Sequence, residues 1–233
     1  MEKIEFDKFA DAYQSLHTEN ISLSGESPDY FTEYKIKDVA AEFPSFGGNT
    51  SDPLKILDFG AGIGNSVPFV KKHLPHSKLT CLDVSTKSLE VGQNRFPDQA
   101  QFSYFDGVRI PFLDESYDIA FASCVFHHIN HQEHLPLLIE IRRILEPNGM
   151  ALVYEHNPYN PLTAHAVNTC AFDINARLIT ASVLRRSMIA AGFNKVQIRY
   201  RVFFPRVLRV FRSLENWMKW LPLGAQYYVV AQK

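Results

Sequence analysis

Cysteine is scarce, with three in 233 residues: Cys81, Cys124 and Cys170. They stand far apart with no C-x-x-C pair, which argues against a disulfide framework or a thiolate zinc site. A reducing, cytoplasmic compartment is the expectation. Charge of one sign is not in excess either. The net charge is −1, so no overall field draws in nucleic acid and no nucleic-acid partner is expected. Long hydrophobic runs are missing: none approaches the roughly 20 residues that span a bilayer. The opening, Met1 to Asp7, has no apolar signal region. Internal repeats and low-complexity tracts are absent as well. What remains is ordinary globular composition, 46% hydrophobic and 21% charged, in a chain long enough for one α/β domain with a sizeable core.

Glycine is also sparse, 11 in all, yet three alternate in one short stretch. Leu54-Lys55-Ile56-Leu57-Asp58-Phe59 is apolar and β-prone, as a strand buried on both faces should be. Gly60-Ala61-Gly62-Ile63-Gly64-Asn65-Ser66 follows, and Val67 to His73 can then open a helix. Glycine permits positive φ and close approach of a ligand to the main chain. A helix start presents unpaired N–H groups to a negative group. A dinucleotide fingerprint would require glycine at position 65. Asn65 stands there, which disfavours an NAD-dependent oxidoreductase.

Two carboxylates follow at intervals. The strand Lys78 to Leu82 ends at Asp83, about twenty residues past the glycines, where doubly wound folds place the acceptor for ribose hydroxyls. A helix N-cap is the competing role, because Ser85, Thr86 and a helix from Lys87 to Arg95 come next. The strand Ala100 to Phe105 ends at Asp106-Gly107, among the commonest turn pairs. The strand Tyr117 to Ser123 then exits at Cys124-Val125-Phe126-His127-His128. A helix from Leu135 to Leu145 and a strand from Met150 to Tyr154 lead to Glu155-His156-Asn157-Pro158-Tyr159-Asn160-Pro161.

This order of motifs resembles the class I S-adenosylmethionine-dependent methyltransferases of the small-molecule type. The resemblance is good over residues 50–160 and looser elsewhere. It implies an α/β fold: a doubly wound, seven-stranded, mostly parallel sheet with an antiparallel last strand, and helical cap segments. One domain, 1–233, would comprise a helical N-terminal cap (1–45), a cofactor-binding core (50–160), and a substrate-side cap with the C-terminal strands (161–233). S-adenosyl-L-methionine is the implied cofactor. Asp58, Gly60, Ala61, Gly62, Gly64, Asn65, Asp83, Val84, Asp106, Gly107, Ser123 and Tyr13 are the implied contacts: the glycines around methionine and ribose, Asp83 at the ribose, Asp106 at the adenine.

The expected reaction is methyl transfer to a small-molecule hydroxyl, of a sugar or another bacterial metabolite. A hydroxyl acceptor needs a base, and neutral imidazole suits that role. His156 is the first candidate and His128 the second, with Glu155 and His127 also at the crevice. His127, Asn157, Tyr159 and Tyr30 are the candidate substrate contacts. Tyr13 and Tyr30 have plain helix packing as their alternative, and Asn157 a turn-stabilising one. His127, His128, His131 and His134 crowd one stretch, but no H-E-x-x-H or thiolate pattern accompanies them. They are expected on a polar loop and a solvated helix start, and no metal is expected.

The rest of the chain reads as a helix over Thr180 to Ala191 closed by Gly192, a strand over Lys195 to Phe204, a helix over Arg206 to Trp220 and a strand over Gln226 to Ala231. The 205–222 stretch interleaves Arg206, Arg209, Arg212 and Lys219 with Phe211, Trp217 and Trp220. A solvated amphipathic face is one reading. Peripheral contact with anionic lipid, or with a phosphate-bearing or lipid-linked substrate, is the other. A catalytically silent cofactor-binding subunit remains the alternative to an enzyme.

Overall fold

The computed structural model describes residues 25–170, 173 and 175–233. The first part of the expected N-terminal cap, and Tyr13 with it, lies outside them.

Seven strands form one sheet: β1 Lys55–Phe59, β2 Lys78–Asp83, β3 Gln101–Tyr104, β4 Tyr117–Ser123, β5 Leu145–His156, β6 Asn194–Arg201 and β7 Gln226–Gln232. The order across the sheet is β3-β2-β1-β4-β5-β7-β6. The first five run parallel, and β7 lies antiparallel between β5 and β6. The implied fold is therefore present. The strand order reverses between β1 and β4, and in open α/β sheets the crevice beyond the strands' carboxyl ends at such a switch point takes the ligand.

Side-chain alternation divides the core into two layers. Leu57, Phe59, Ala120, Ala122, Val153 and Val229 point to one face. There they pack against helices α4 (His131–Ile144) and α6 (Ala181–Ala190) through Leu138, Ile141, Leu184 and Met188. Ile56, Ile119, Phe121, Leu152, Tyr154 and Val230 point to the other. That face meets α1 (Pro28–Glu42) and α2 (Val67–His73) through Ile36, Val39, Val67 and Val70. Burial on both faces is why these strands read as nearly continuous apolar runs.

Several boundaries move for local reasons. Helix α1 begins at Pro28. Ser27 caps it by accepting from Tyr30 N–H, and Pro28 occupies a first-turn position where its missing N–H costs nothing. Helix α4 begins at His131 and contains Pro136. Strand β6 stops at Arg201 because Val202 has φ 61°. The expected helix over Arg206 to Trp220 is instead a 3-10 stretch, Arg206–Leu214, broken at Leu208 (φ −106°, ψ 20°), then one short helical turn, α7, Glu215–Met218. The buried Glu215 carboxylate accepts from the N–H groups of Phe203 (3.1 Å) and Phe204 (3.2 Å). A straight helix would carry Glu215 away from both.

Candidate active site

Strand β1 delivers the chain to Gly60 (φ 75°), Gly62 (φ 53°) and Gly64 (φ 74°). The N–H groups of Gly60 (2.8 Å) and Ala61 (3.1 Å) both donate to the Leu82 carbonyl, pinning the loop to the end of β2. Gly62 N–H donates to Asp83 Oδ2 at 2.8 Å, and Ser85 N–H to Asp83 Oδ1 at 2.8 Å. Asp83 thus bridges the glycine loop and the next turn. It is not the helix cap: Ser85 caps α3 (Thr86–Arg95) by accepting from Ser88 N–H.

The glycines differ in what surrounds them. A Cβ on Gly60 would lie 2.5 Å from Val125 Cγ2, so a close approach to β4's exit requires glycine there. A Cβ on Gly62 would meet nothing within 4 Å. Gly62 therefore faces open space beside the Asp83 carboxylate. Asp58 lies buried beneath the loop and accepts from Ser66 Oγ. Burial raises its pKa to about 7; the Ser66 bond opposes the rise, the Asp83 charge adds to it, and the Lys35 charge opposes it.

Next to the cradle is a pocket of about 220 Å³. Val84, Phe105, Ile129 and Leu137 contribute apolar wall, and Asp106, Gly107 and Glu133 polar groups. Asp106 Oδ1 accepts from Arg109 N–H (3.0 Å) and Val108 N–H (2.9 Å), which hold the carboxyl below its usual range. Oδ2 can accept from an amino group on a flat ring seated against Val84. An open glycine backbone, a carboxylate beside it and an apolar slot ending in a second carboxylate suit the ribose and base of a nucleoside. The cofactor expected from the sequence fits these residues.

At the exit of β4, Lys35 reaches in from α1 and is itself buried. Its ammonium donates to Ser123 Oγ (2.8 Å) and contacts Cys124 Sγ (3.3 Å). Cys124 has φ 59°. Burial works against its thiolate, but the Lys35 charge and His156 outweigh that and hold the thiol at about 7. His156 ends β5, with Nδ1 3.4 Å from Gln226 Nε2. Gln226 in turn accepts from Tyr34 OH.

Behind this edge, His127 is buried with Nδ1 2.6 Å from Glu155 Oε2. Burial disfavours the imidazolium, but the Glu155 and Asp173 carboxylates outweigh it and raise the His127 pKa. His128 goes the other way, down to about 4, through burial and the His127 charge. Glu155 is fully enclosed and also accepts from Phe126 N–H at 2.8 Å. Its oxygens are engaged in fixing the turn at the β4 exit, so it is removed as a candidate base. His134 is buried too, with Nε2 2.9 Å from the Phe126 carbonyl and 3.0 Å from that of Ile129. It closes the turn and is not on a solvated helix start.

The glycines, Asp58, Asp83, Val84, Asp106, Gly107 and Ser123 gather along one crevice, with His156 and His128 at its β4–β5 end. Four expected contacts have their side chains engaged or placed elsewhere. Asn65 Oδ1 accepts from Arg95 Nη1 (2.9 Å), tying the loop to α3. Asn157 is buried, its amide donating to the carbonyls of Gly224 (2.8 Å) and Pro222 (3.1 Å), while its Oδ1 accepts from Tyr159 N–H (3.2 Å) in the turn-stabilising role. Tyr159 is exposed beside Tyr200. Tyr30 is half-buried under the Arg212 guanidinium, 4.5 Å from its ring. Lys35 and Asp173 are site residues that sequence reasoning passed over. Lys35 interrupts an apolar helix face, a weak signal, and Asp173 carried none.

A methyltransferase-domain family matches residues 57–153. The demethylmenaquinone methyltransferase of Thermotoga maritima is 33% identical over 109 residues, 47% of this chain and 46% of that protein. A ubiquinone/menaquinone biosynthesis C-methyltransferase of Ectopseudomonas mendocina is 26% identical over 170 residues, 61% of this chain and 66% of its own length. The chain thus spans about half to two thirds of these relatives. In structure it resembles a Thermotoga maritima S-adenosylmethionine-dependent methyltransferase described as a possible histamine N-methyltransferase, with a TM-score of 0.66, 18% identity and 98% of both chains covered. A methyltransferase from Archaeoglobus fulgidus gives a TM-score of 0.62 at 15% identity, covering 85% of this chain and 94% of the other.

Proposed function

Since the chain belongs to the class I S-adenosylmethionine-dependent methyltransferases, we propose that it methylates a quinol-type ring carried on an apolar tail. The two curated relatives are a demethylmenaquinone methyltransferase and a ubiquinone/menaquinone biosynthesis C-methyltransferase. One observation on this chain supports the same class. The segment that follows β6 exposes Val207, Val210, Trp217, Trp220 and Leu223, the two tryptophans by 82% and 73%. Arg206 and Arg209 are exposed among them. Apolar side chains ringed by guanidinium groups suit an anionic bilayer surface, where each basic residue contributes about 1 kcal/mol. No helix among the described residues is long and apolar enough to cross a membrane, so the contact would be peripheral.

The cofactor, when bound, supplies a sulfonium methyl that needs no further activation. Gly62 and Asp83 would hold its ribose side and Asp106 its base. His156 takes the proton from a ring hydroxyl, which turns the ring into a carbon nucleophile. The Lys35 ammonium favours an acceptor oxygen that has lost its proton. Sugar-hydroxyl methylation uses the same base and is the runner-up.

The test is turnover of labelled S-adenosylmethionine with a short-chain demethylated naphthoquinol and, separately, with nucleotide sugars. Anionic and neutral vesicles are compared by cosedimentation. Methylated quinol and selective pelleting with anionic vesicles are the expected results. A methylated sugar with no quinol product would overturn the acceptor, and absence of vesicle binding would overturn the lipid surface.

A further inference from the structure

We propose that His127, His128 and Asp173 form a divalent-cation site of the zinc type, with Glu155 supporting it from outside. His127 and His128 sit on the 3-10 turn Phe126–His128 that follows β4. Asp173 comes from a segment remote in sequence. Its Oδ1 lies 3.3 Å from His128 Nε2 and 3.6 Å from His127 Nε2. The three donor atoms fall within 4.8 Å of one another. A cation about 2.1 Å from each donor in tetrahedral geometry would separate them by roughly 3.4 Å. The two histidine–aspartate distances already have that value.

Three further features point the same way. Glu155 sits on His127 Nδ1 at 2.6 Å. An outer carboxylate on the far ring nitrogen fixes the Nδ1–H tautomer and turns the Nε2 lone pair toward the ligand position. Charge is the second feature. Glu155 and Asp173 are both buried, and a dication would neutralise the two carboxylates together where a single imidazolium leaves one uncompensated. The third is closure: Arg177 N–H donates to the His127 carbonyl at 2.8 Å, a second tie to the turn four residues beyond Asp173. Two imidazoles and one carboxylate leave a coordination position open. The His156 ring is 5.2 Å from that of His127, so a cation here would border the end of the crevice assigned to the acceptor. The binding site itself follows from this geometry and does not depend on which acceptor is methylated.

The full chain, made without a polyhistidine tag and stripped with a chelator, is titrated with Co2+ and read by visible ligand-field absorption. Competition with Zn2+ follows, and S-adenosylmethionine binding is measured in parallel by calorimetry. One Co2+ per chain, displaced by one Zn2+, is expected. Asp173→Asn and His128→Gln each weaken Co2+ by more than about tenfold, and Glu155→Gln by roughly 10–100-fold, while His131→Gln leaves it unchanged. Thermal melts establish that each variant is folded; if Asp173→Asn is not, His128→Gln decides. Absence of stoichiometric Co2+, or equal Co2+ affinity in wild type and the folded ligand variant, overturns the site. Because cofactor affinity is read independently, that failure leaves the methyltransferase reading standing, and loss of cofactor binding with Co2+ retained would do the reverse.

Discussion

Alanine at Gly60 and alanine at Gly62 should separate the two jobs of the glycine loop. Both residues have positive φ, 75° and 53°. A residue with a Cβ pays about 1–2 kcal/mol in that region. At Gly62 little else is added, because its Cβ would meet nothing within 4 Å. For a chain of this size that corresponds to roughly 2–8 °C in Tm. At Gly60 the Cβ would lie 2.5 Å and 2.7 Å from the two γ-carbons of Val125. Val125 is buried, and β-branched side chains have little rotamer freedom. Overpacking of about 1–3 kcal/mol then brings the total to roughly 2–5 kcal/mol, or about 4–20 °C. Cofactor affinity should not follow stability. Gly62→Ala fills the open cradle while its N–H still reaches Asp83, so S-adenosylmethionine should bind about tenfold or more weakly, at least about 1.4 kcal/mol. Differential scanning calorimetry and isothermal titration of the two variants check this. Wild-type affinity in Gly62→Ala would refute the placement of the cofactor against this backbone. A Gly60→Ala Tm no lower than that of Gly62→Ala would refute the steric argument.

Asp83→Asn removes the carboxylate between the loop and the Ser85 turn, and should lower cofactor affinity by an order of magnitude or more, with the fold retained by circular dichroism. His156→Ala should abolish turnover while S-adenosylmethionine affinity stays within about twofold; turnover at the wild-type rate would remove His156 as the base. Asp58 makes a pH prediction. Its folded pKa, about 7, is raised above the ordinary 3.8, so the native state holds a proton that the unfolded state has lost. Its contribution is intact below about 4 and declines as pH rises to about 7, by up to about 1.4 kcal/mol per unit. Denaturant melts at several pH values should show that decline in wild type and a flatter profile in Asp58→Asn; identical profiles would contradict it.

The sheet was legible because burial on both faces leaves a plain record. Ile56-Leu57, Leu79 to Leu82 and Tyr227 to Ala231 are apolar runs with few competing readings, and their ends are marked by Gly60, Asp83 and Gly224. The cofactor side was legible for a related reason: a loop needing positive φ at alternate positions is written in glycine. The acceptor side was not. Lys35 is a site residue only because α1 packs across the exit of β4, and Asp173 only because its carboxylate lies against His127 and His128. Neither fact has a local sequence correlate. Asn157 and Asn65 have structural partners that no local pattern shows. They are polar residues at a crevice edge whose hydrogen bonds go to groups remote in sequence, the Arg95 guanidinium for Asn65 and the Gly224 and Pro222 carbonyls for Asn157. Composition misled at 206–220, where helical spacing of apolar and basic residues gave way to the pull of one buried carboxylate, Glu215.

That carboxylate belongs to an ionic network which explains how a weakly patterned cap is held on a strongly patterned core. Arg201, at the end of β6, lies 2.8 Å from Asp38 on α1 and 3.8 Å from Glu215, with its guanidinium 5.5 Å from the centre of the Tyr34 ring. Arg212 pairs with Glu26 at 2.7 Å, just ahead of α1. Buried pairs like these add little net stability, because desolvation offsets most of the attraction. They are nevertheless demanding in geometry, since a buried charge that misses its partner costs several kcal/mol. The network therefore acts on position. It sets the exposed 206–223 segment and α1 relative to each other and to the same sheet edge. On α1, Lys35 reaches the exit of β4 while Tyr34 holds Gln226 beside His156. The exposed apolar surface and the acceptor end of the crevice are thus joined through one set of buried charges.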